Sequence, residues 1–120
     1  MADKIILASG SQIRADLLRN AGVTFEVQTA RVDEEMLRLA LEAENASPRD
    51  VADALAEAKA SRVARKHPEA LVLGCDQVLE CEGRIFSKPK DPEEARQQLQ
   101  ALRGKTHQLL SALVVFHQNQ

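Results

Sequence analysis

Short apolar runs alternate with amphipathic stretches along the chain. Runs of β-branched and aliphatic residues are typical of strands, and apolar residues three or four positions apart are typical of helices. The pattern predicts strands over residues 5–8, 23–28, 70–75, 77–81, 84–86 and 109–116, and helices over residues 12–21, 37–43, 48–66 and 92–103. Because strands alternate with helices and a hairpin turn falls at Glu82-Gly83, we expect an α/β protein.

The last predicted strand is strongly apolar. Every residue from Leu109 to Phe116 except Ser111 is apolar. A strand that is apolar on both faces is typical of the interior of a sheet. We therefore expect this strand to lie between two neighbouring strands.

Composition and charge exclude several classes of function. The chain has 120 residues, of which 44% are hydrophobic and 28% charged, so we expect one globular domain over residues 1–120. A net charge of −2 and only three aromatic residues provide neither a basic surface for duplexes nor a platform for stacked bases. No apolar run approaches the ~20 residues of a membrane span, and no signal peptide precedes the first strand. We expect a cytoplasmic protein that binds no nucleic-acid polymer and no membrane.

The cysteines and histidines form no metal-binding motif. Cys75 and Cys81 flank a strand-like run without CxxC spacing, and the three histidines are scattered. A zinc site or a disulfide framework is therefore not expected. We predict two free, mostly buried thiols.

A candidate phosphate site follows the first strand. Ser9, Gly10 and Ser11 form a turn, and the helix behind it carries Arg14 in its first turn. Hydroxyl groups, free N–H groups at a helix N-terminus and a guanidinium all bind phosphate oxygens. A simpler interpretation is that Ser9 or Ser11 only caps the helix.

Four further charged residues are candidates for the same chemistry: Glu34, Lys59, Asp76 and Lys88. Asp76 stands near the predicted end of a strand, between two apolar segments, and a buried carboxylate needs a partner or a metal ion. The other three also fit exposed roles. Glu34 lies in an acidic turn, Lys59 fits the polar face of a helix, and Lys88 lies in a loop.

These side chains can together support cleavage of a polyphosphate. Arg14, Lys59 and Lys88 can neutralise phosphate charge, whereas Glu34 and Asp76 can hold Mg²⁺ or Mn²⁺. Asp76 can instead orient or deprotonate a water molecule. Positioning and charge neutralisation are most of what such cleavage requires. The hypothesis requires the five side chains to converge in space.

Six segments carry a family resemblance. They are Leu7-Ala8-Ser9-Gly10-Ser11-x-x-Arg14, Asp33-Glu34, Ala58-Lys59-Ala60, Leu73-Gly74-x-Asp76-x-Val78, Lys88-Pro89 with Glu93-Glu94-Ala95, and Leu102-x-Gly104-Lys105-Thr106-His107. In this order and spacing, the chain resembles the Maf family of nucleoside triphosphate pyrophosphatases. The resemblance implies a mixed twisted sheet with flanking helices, similar to the fold of inosine triphosphate pyrophosphatases, with a cleft between two lobes.

The resemblance also implies an activity and residue roles. Members of the family cleave nucleotides between the α and β phosphates with Mg²⁺ or Mn²⁺, releasing a monophosphate and pyrophosphate. The roles that it implies are phosphate binding by Ser9, Ser11, Arg14, Lys59 and Lys88, metal binding by Glu34 and Asp76, and activation of the attacking water by Asp76.

Two positions bear on the substrate. The segment Gly74-Cys75-Asp76-Gln77 resembles the form found in the subgroup that acts on 7-methyl-GTP, so we expect Gln77 to contribute to base specificity. Ile13 stands where the family usually has a second arginine. This difference removes one cation from the phosphate site.

The resemblance further implies a fold truncated on its C-terminal side. Full members of the family continue past the position of Phe116 and add more sheet and further active-site residues. Two alternatives therefore stay open beside the enzyme. One is a non-catalytic nucleotide-binding or regulatory fragment, and the other is an assembly subunit whose last strand pairs with a second copy in a homodimer.

Overall fold

The computed structural model describes residues 4–117, which form a five-stranded sheet and four helices. The strands are β1 (Ile5–Ala8), β2 (Glu26–Val27), β3 (Leu71–Cys81), β4 (Arg84–Phe86) and β5 (Gln108–His117), and the helices are α1 (Gln12–Asn20), α2 (Glu34–Ala43), α3 (Pro48–Ala64) and α4 (Pro92–Leu102). β1 pairs in parallel with β2 and β3, whereas β4 and β5 pair antiparallel with β3. The expected α/β class, with a mixed sheet and flanking helices, is confirmed.

Side-chain caps set where the helices begin. In each helix, the residue before the first turn accepts a hydrogen bond from the backbone N–H three positions on; these residues are Ser11, Asp33, Ser47 and Asp91. Because Asp33 caps α2, that helix begins at Glu34, three residues before the predicted start at Leu37. An acidic stretch that was interpreted as a possible solvated turn is therefore the first turn of a helix.

β3 is the central strand of the sheet. It runs without a break over 11 residues, so the predicted interruption at Asp76, which put that residue near a strand end, is wrong. Asp76 stays in the ladder opposite Ala112 of β5. β1 pairs with the first four residues of β3 and β4 with its last three, both on the side away from β5.

The core lies between α3 and one face of the sheet. Val51, Ala56 and Ala60 of α3 are fully buried against the sheet: Ala60 packs in one cluster with Val72 of β3, and Val51 and Ala56 pack in another with Val78 of the same strand. Small residues bring the helix very close to β3. A Cβ atom added at Gly74 would lie 2.4 Å from the carbonyl oxygen of Ala56, so only glycine fits there.

β5 lies at an edge of the described sheet. Within residues 4–117 it pairs with β3 alone, so the expected position between two neighbours is wrong. Ala112 is buried under α3, whereas Leu109, Leu113 and Val115 are exposed on the opposite face. The strand is apolar on both faces but is covered on one. Its pairing with a second copy stays a prediction.

Two further expectations differ from the structure. The predicted strand over 23–28 is reduced to Glu26–Val27, since only this short stretch pairs with β1. The helical apolar spacing of Ile13 and Leu17 would place both on a buried face of α1, but they are 73% and 64% exposed. Ala15 is the buried residue of α1, so the helix packs through a small side chain. No helix in the described part of the chain is long and apolar enough to cross a membrane.

Candidate functional site

The candidate site lies beside the middle of β3. The register pairs Ala8, the last residue of β1, with Gly74. β4 joins the same side of β3 only at Leu79. Residues 75–78 therefore have no neighbouring strand on that side among the described residues. We call this gap between β1 and β4 the notch.

A lysine bridges two carboxylates at the notch. Nζ of Lys59 lies 2.6 Å from Oε1 of Glu34 and 3.1 Å from Oδ1 of Asp76. It also donates a hydrogen bond of 3.5 Å to the carbonyl oxygen of Cys75. The side chains of Lys59 and Asp76 are only 13% and 12% exposed, whereas that of Glu34 is 51% exposed. The structure thus brings three of the candidate residues into direct contact.

Three different elements position these side chains. Glu34 is the first residue of α2, and Lys59 lies on α3 beside the small residue Ala60. Asp76 shares its face of β3 with Gly74 and Val78, because side chains alternate along a strand and both of these pack against α3. The close approach of α3 at Gly74 brings the lysine within reach of the aspartate.

The lysine explains why the strand continues through Asp76. A carboxylate with 12% of its surface exposed is costly in the middle of a sheet unless an opposite charge compensates it. Lys59 supplies that charge from 17 positions earlier in the chain. The partner is distant in sequence, so the local pattern gave no sign of it.

Ser9 and Arg14 form a second polar cluster where β1 ends. Ser9 is 4% exposed, and its Oγ accepts hydrogen bonds of 3.2 Å from Nη1 of Arg14 and from the N–H of Ser11. Ser11 caps α1, since its Oγ accepts a hydrogen bond from the N–H of Arg14. Ser11 is therefore the helix cap, and its role in phosphate binding stays a prediction. Ser9 instead holds the guanidinium against the turn.

Cys75 precedes Asp76 in β3, and Lys59 contacts its carbonyl oxygen. Burial raises the pKa of its thiol, the positive charges of Arg14 and Lys59 act in the opposite direction, and Asp76 acts with burial. Charges from both clusters therefore act on one sulfur atom. Cys75 and Cys81 are both free, as expected, but only Cys81 is buried.

The structure does not bring Lys88 and Gln77 to this cluster. Lys88 is exposed between β4 and α4 and makes no hydrogen bond or ion pair within residues 4–117. Gln77 follows Asp76 in the strand and so lies on the opposite face of the sheet, where its Nε2 donates a hydrogen bond of 2.9 Å to Oγ of Ser111. Their roles in phosphate binding and base specificity stay predictions.

Arg38 is a residue that the sequence analysis missed. It lies one turn after Glu34 on α2, forms an ion pair of 4.0 Å with Glu42, and donates a hydrogen bond from Nη1 to Oγ of Ser87. Its Nε is buried without a hydrogen-bond partner in the described structure. Because Ser87 precedes Lys88, Arg38 connects α2 to the loop that carries this lysine. Arg38 lies four residues after Glu34, which would put both on the same face of a helix. The predicted helix begins only at residue 37, so this spacing did not stand out.

The two carboxylates fit a divalent cation. The ammonium of Lys59 is already a cation shared between Glu34 and Asp76, which shows that their oxygens converge on one point. Mg²⁺ is usually held by one or two carboxylates together with substrate phosphates. No group of three or more acidic, histidine or cysteine side chains gathers around a possible metal position in the described chain.

Comparison with known proteins identifies the family. The family model described as Maf-like protein matches residues 4–120. A nucleoside triphosphate pyrophosphatase of Ruegeria sp. (strain TM1040) is 63% identical over 116 residues, which cover 97% of this chain and 58% of the relative. A 7-methyl-GTP pyrophosphatase of Brucella abortus biovar 1 (strain 9-941) is 50% identical over 115 residues, with coverage of 96% and 58%. The chain thus spans 58% of the length of these relatives, and it belongs to the Maf-like protein family.

Proposed function

We propose that the protein hydrolyses nucleoside triphosphates between the α and β phosphates, giving a nucleoside monophosphate and pyrophosphate. The observation that carries this proposal is the pair of carboxylates, Glu34 and Asp76, that converge on the cation Lys59 at 2.6 and 3.1 Å. A cation position beside phosphate-binding groups suits this reaction. The printed names of the relatives from Ruegeria and Brucella support the same activity.

The turn after β1 holds the phosphates in this mechanism. Arg14 is half-buried and offers a planar set of donors, and the buried Ser9 fixes its orientation through a hydrogen bond of 3.2 Å. The N-terminus of α1 adds free N–H groups and the positive end of the helix dipole. Lys59 and the exposed Lys88 neutralise further phosphate charge. Ser11, which caps α1, lies in the same turn and contributes to phosphate binding in this proposal.

Asp76 activates the water molecule. Its carboxylate accepts a proton while the water oxygen forms a bond to the α-phosphorus. The bond between that phosphorus and the bridging oxygen breaks, and its electron pair leaves with pyrophosphate. Glu34 and Asp76 are the residues that would hold Mg²⁺ or Mn²⁺, which neutralises charge on the phosphate oxygens when bound.

We propose 7-methyl-GTP or a related modified nucleotide as the substrate. The segment Gly74-Cys75-Asp76-Gln77 supports this choice, as does the printed name of the Brucella relative. Gln77 lies on the sheet face opposite Asp76, so a base that contacts it must extend past β3 while the phosphates stay at the notch. The same proposal places the protein in the cytoplasm, where nucleotides are available.

Release of pyrophosphate by the purified chain tests the proposed function. The panel contains 7-methyl-GTP, GTP, dTTP, UTP and CTP, each with Mg²⁺ or Mn²⁺. We expect release from at least one nucleotide, and most from 7-methyl-GTP. If a folded sample binds these nucleotides without releasing pyrophosphate, the proposed hydrolase activity is wrong. Nucleotide binding without catalysis is then the better description of the function. Ile13 favours that second candidate because it removes a cation.

Ile13→Arg should tighten the binding of a triphosphate. Ile13 is 73% exposed beside Arg14, so a guanidinium fits there without disturbing the core. A hydrogen bond to a charged group contributes about 1.5–3 kcal/mol, which corresponds to about tenfold or more in the dissociation constant. Titration calorimetry with a non-hydrolysable triphosphate measures the change.

Leu17→Arg is the matched control for this variant. Leu17 lies about one turn further along α1 and is 64% exposed, so the variant adds the same charge farther from the turn. We expect a smaller gain in affinity. Equal gains for the two variants would show that net charge alone acts and that Ile13 is not at the phosphate site.

A further inference from the structure

Lys59 occupies the place between two carboxylates that a metal ion would take. We propose that Lys59 and the divalent cation compete for Glu34 and Asp76, so that the protein binds the metal tightly only together with a triphosphate. This inference rests on the proposed function, because it concerns the same metal and the same substrate class. It adds an order of events: in the free protein the ammonium of Lys59 occupies the carboxylates, and it must move before the metal ion binds.

The geometry makes the two cations mutually exclusive. Nζ of Lys59 lies 2.6 Å from one carboxylate oxygen and 3.1 Å from the other. A second cation that reached both oxygens would lie within a few ångströms of the ammonium. Lys59 and Asp76 are 13% and 12% exposed, so water screens such a repulsion poorly. Lys59 must therefore leave at least one carboxylate before a metal ion binds both.

Glu34 is the partner that Lys59 releases most easily. Its side chain is 51% exposed, and exposed ion pairs contribute little net stability. Asp76, by contrast, is fixed in the centre of β3 and shares the lysine with the carbonyl oxygen of Cys75. The first opening movement is thus a separation of Lys59 from the N-terminus of α2.

A triphosphate gives the released ammonium another partner. Ser9, which binds Arg14, directly follows Ala8, and Ala8 pairs with Gly74 of β3. Lys59 contacts the next two residues of that strand, Cys75 and Asp76, so the phosphate-binding cluster and the lysine lie beside the same stretch of β3. The long, flexible lysine side chain can move its hydrogen bonds from a carboxylate to a phosphate oxygen. The carboxylate oxygens then become available to the metal. By linkage, the metal and the triphosphate must strengthen each other's binding by the same factor.

Mn²⁺ binding to Lys59→Met, measured from the free Mn²⁺ signal in electron paramagnetic resonance without nucleotide, tests this competition. We expect the variant to bind Mn²⁺ about tenfold or more tightly than the wild type, because the metal ion no longer has to displace an ammonium from its two ligands. Lys66→Met is the matched control. Lys66 is an exposed lysine just after the end of α3, with no ion pair in the described structure, and its loss should leave Mn²⁺ affinity unchanged.

A wild-type measurement keeps the test independent of how well the variant folds. After correction for the Mn²⁺ that the free analogue chelates, a non-hydrolysable triphosphate should tighten Mn²⁺ binding to the wild type by about tenfold, and much less to Lys59→Met. The competition is overturned if Lys59→Met binds Mn²⁺ no more tightly than the wild type. It is equally overturned if the analogue leaves wild-type affinity unchanged, or if neither protein binds Mn²⁺. If the coupling is present but pyrophosphate is never released, the proposed hydrolysis fails and the competition stands.

Discussion

Asp76→Asn should lower the rate of pyrophosphate release by about a hundredfold or more while the protein stays folded, because a general base contributes on this scale. The amide has nearly the shape of the carboxylate but does not accept the proton of the attacking water. The substitution also removes one of the two negatively charged carboxylates that are proposed to hold the metal ion. The backbone remains paired opposite Ala112, and Lys59 keeps its contact of 2.6 Å with Glu34. Pyrophosphate release and thermal unfolding, measured on the same sample, separate the two effects.

Asp53→Asn controls for the loss of one negative charge. Asp53 lies on the exposed face of α3, and its side chain makes no hydrogen bond or ion pair within residues 4–117. We expect the Asp53→Asn variant to release pyrophosphate at the wild-type rate and to have the wild-type melting temperature. A folded Asp76→Asn protein that turns over as fast as Asp53→Asn would remove Asp76 from the catalytic step.

Among the substitutions of a described glycine by alanine, Gly74→Ala should lower the stability of the protein most. The new Cβ would lie 2.4 Å from the carbonyl oxygen of Ala56 and 2.6 Å from the Cβ of Ala60. The oxygen belongs to the backbone of α3 and cannot rotate away, so the whole helix must move off β3. We expect a loss of about 3 kcal/mol in the free energy of unfolding, at the upper end for overpacking. Urea denaturation measures it.

Gly10→Ala is the matched glycine variant. A Cβ atom at Gly10 meets only Cγ2 of Thr29, at 3.9 Å, which is an ordinary contact. Its free energy of unfolding should stay within about 0.5 kcal/mol of the wild type. If both glycine variants lose the same stability, the close approach of α3 to β3 is not the reason that position 74 is glycine.

The sequence predicted those parts of the fold that are encoded locally. The N-cap Ser47 and the proline after it mark the start of α3, and the hairpin at Glu82-Gly83 has both residues at positive φ, 53° and 82°. The two-residue turn and the cap depend only on neighbouring residues. The same holds for β1, whose predicted bounds Ile5–Ala8 are those of the structure.

The errors about β3 and β5 depend on contacts with elements that are distant in the chain. Asp76 was interpreted as the end of a strand because a lone carboxylate interrupts an apolar run, and its compensating charge comes from α3. β5 was placed inside the sheet because apolar residues fill both of its faces, but only one face meets α3. Ile13 follows a helical apolar pattern and yet is exposed.

The candidate site was predictable as a set of residues and not as an arrangement. Motif spacing singled out Ser9, Arg14, Glu34, Lys59 and Asp76. It did not show that Lys59 would join both carboxylates, since this depends on how closely α3 approaches β3. Nor did it separate Gln77, on the far face of the sheet, from its neighbour Asp76.

The notch has a mechanical consequence. β1 and β4 pair with opposite ends of β3 and not with each other in the described sheet, so between them the sheet is only two strands wide, β3 and β5, with α3 packed across one face. Bending should therefore concentrate at residues 75–78, where the sheet is narrowest. Asp76 lies in this narrowest part of the sheet. A bend of the sheet at these residues would move the carboxylate of Asp76 relative to the first turn of α2, which carries Glu34.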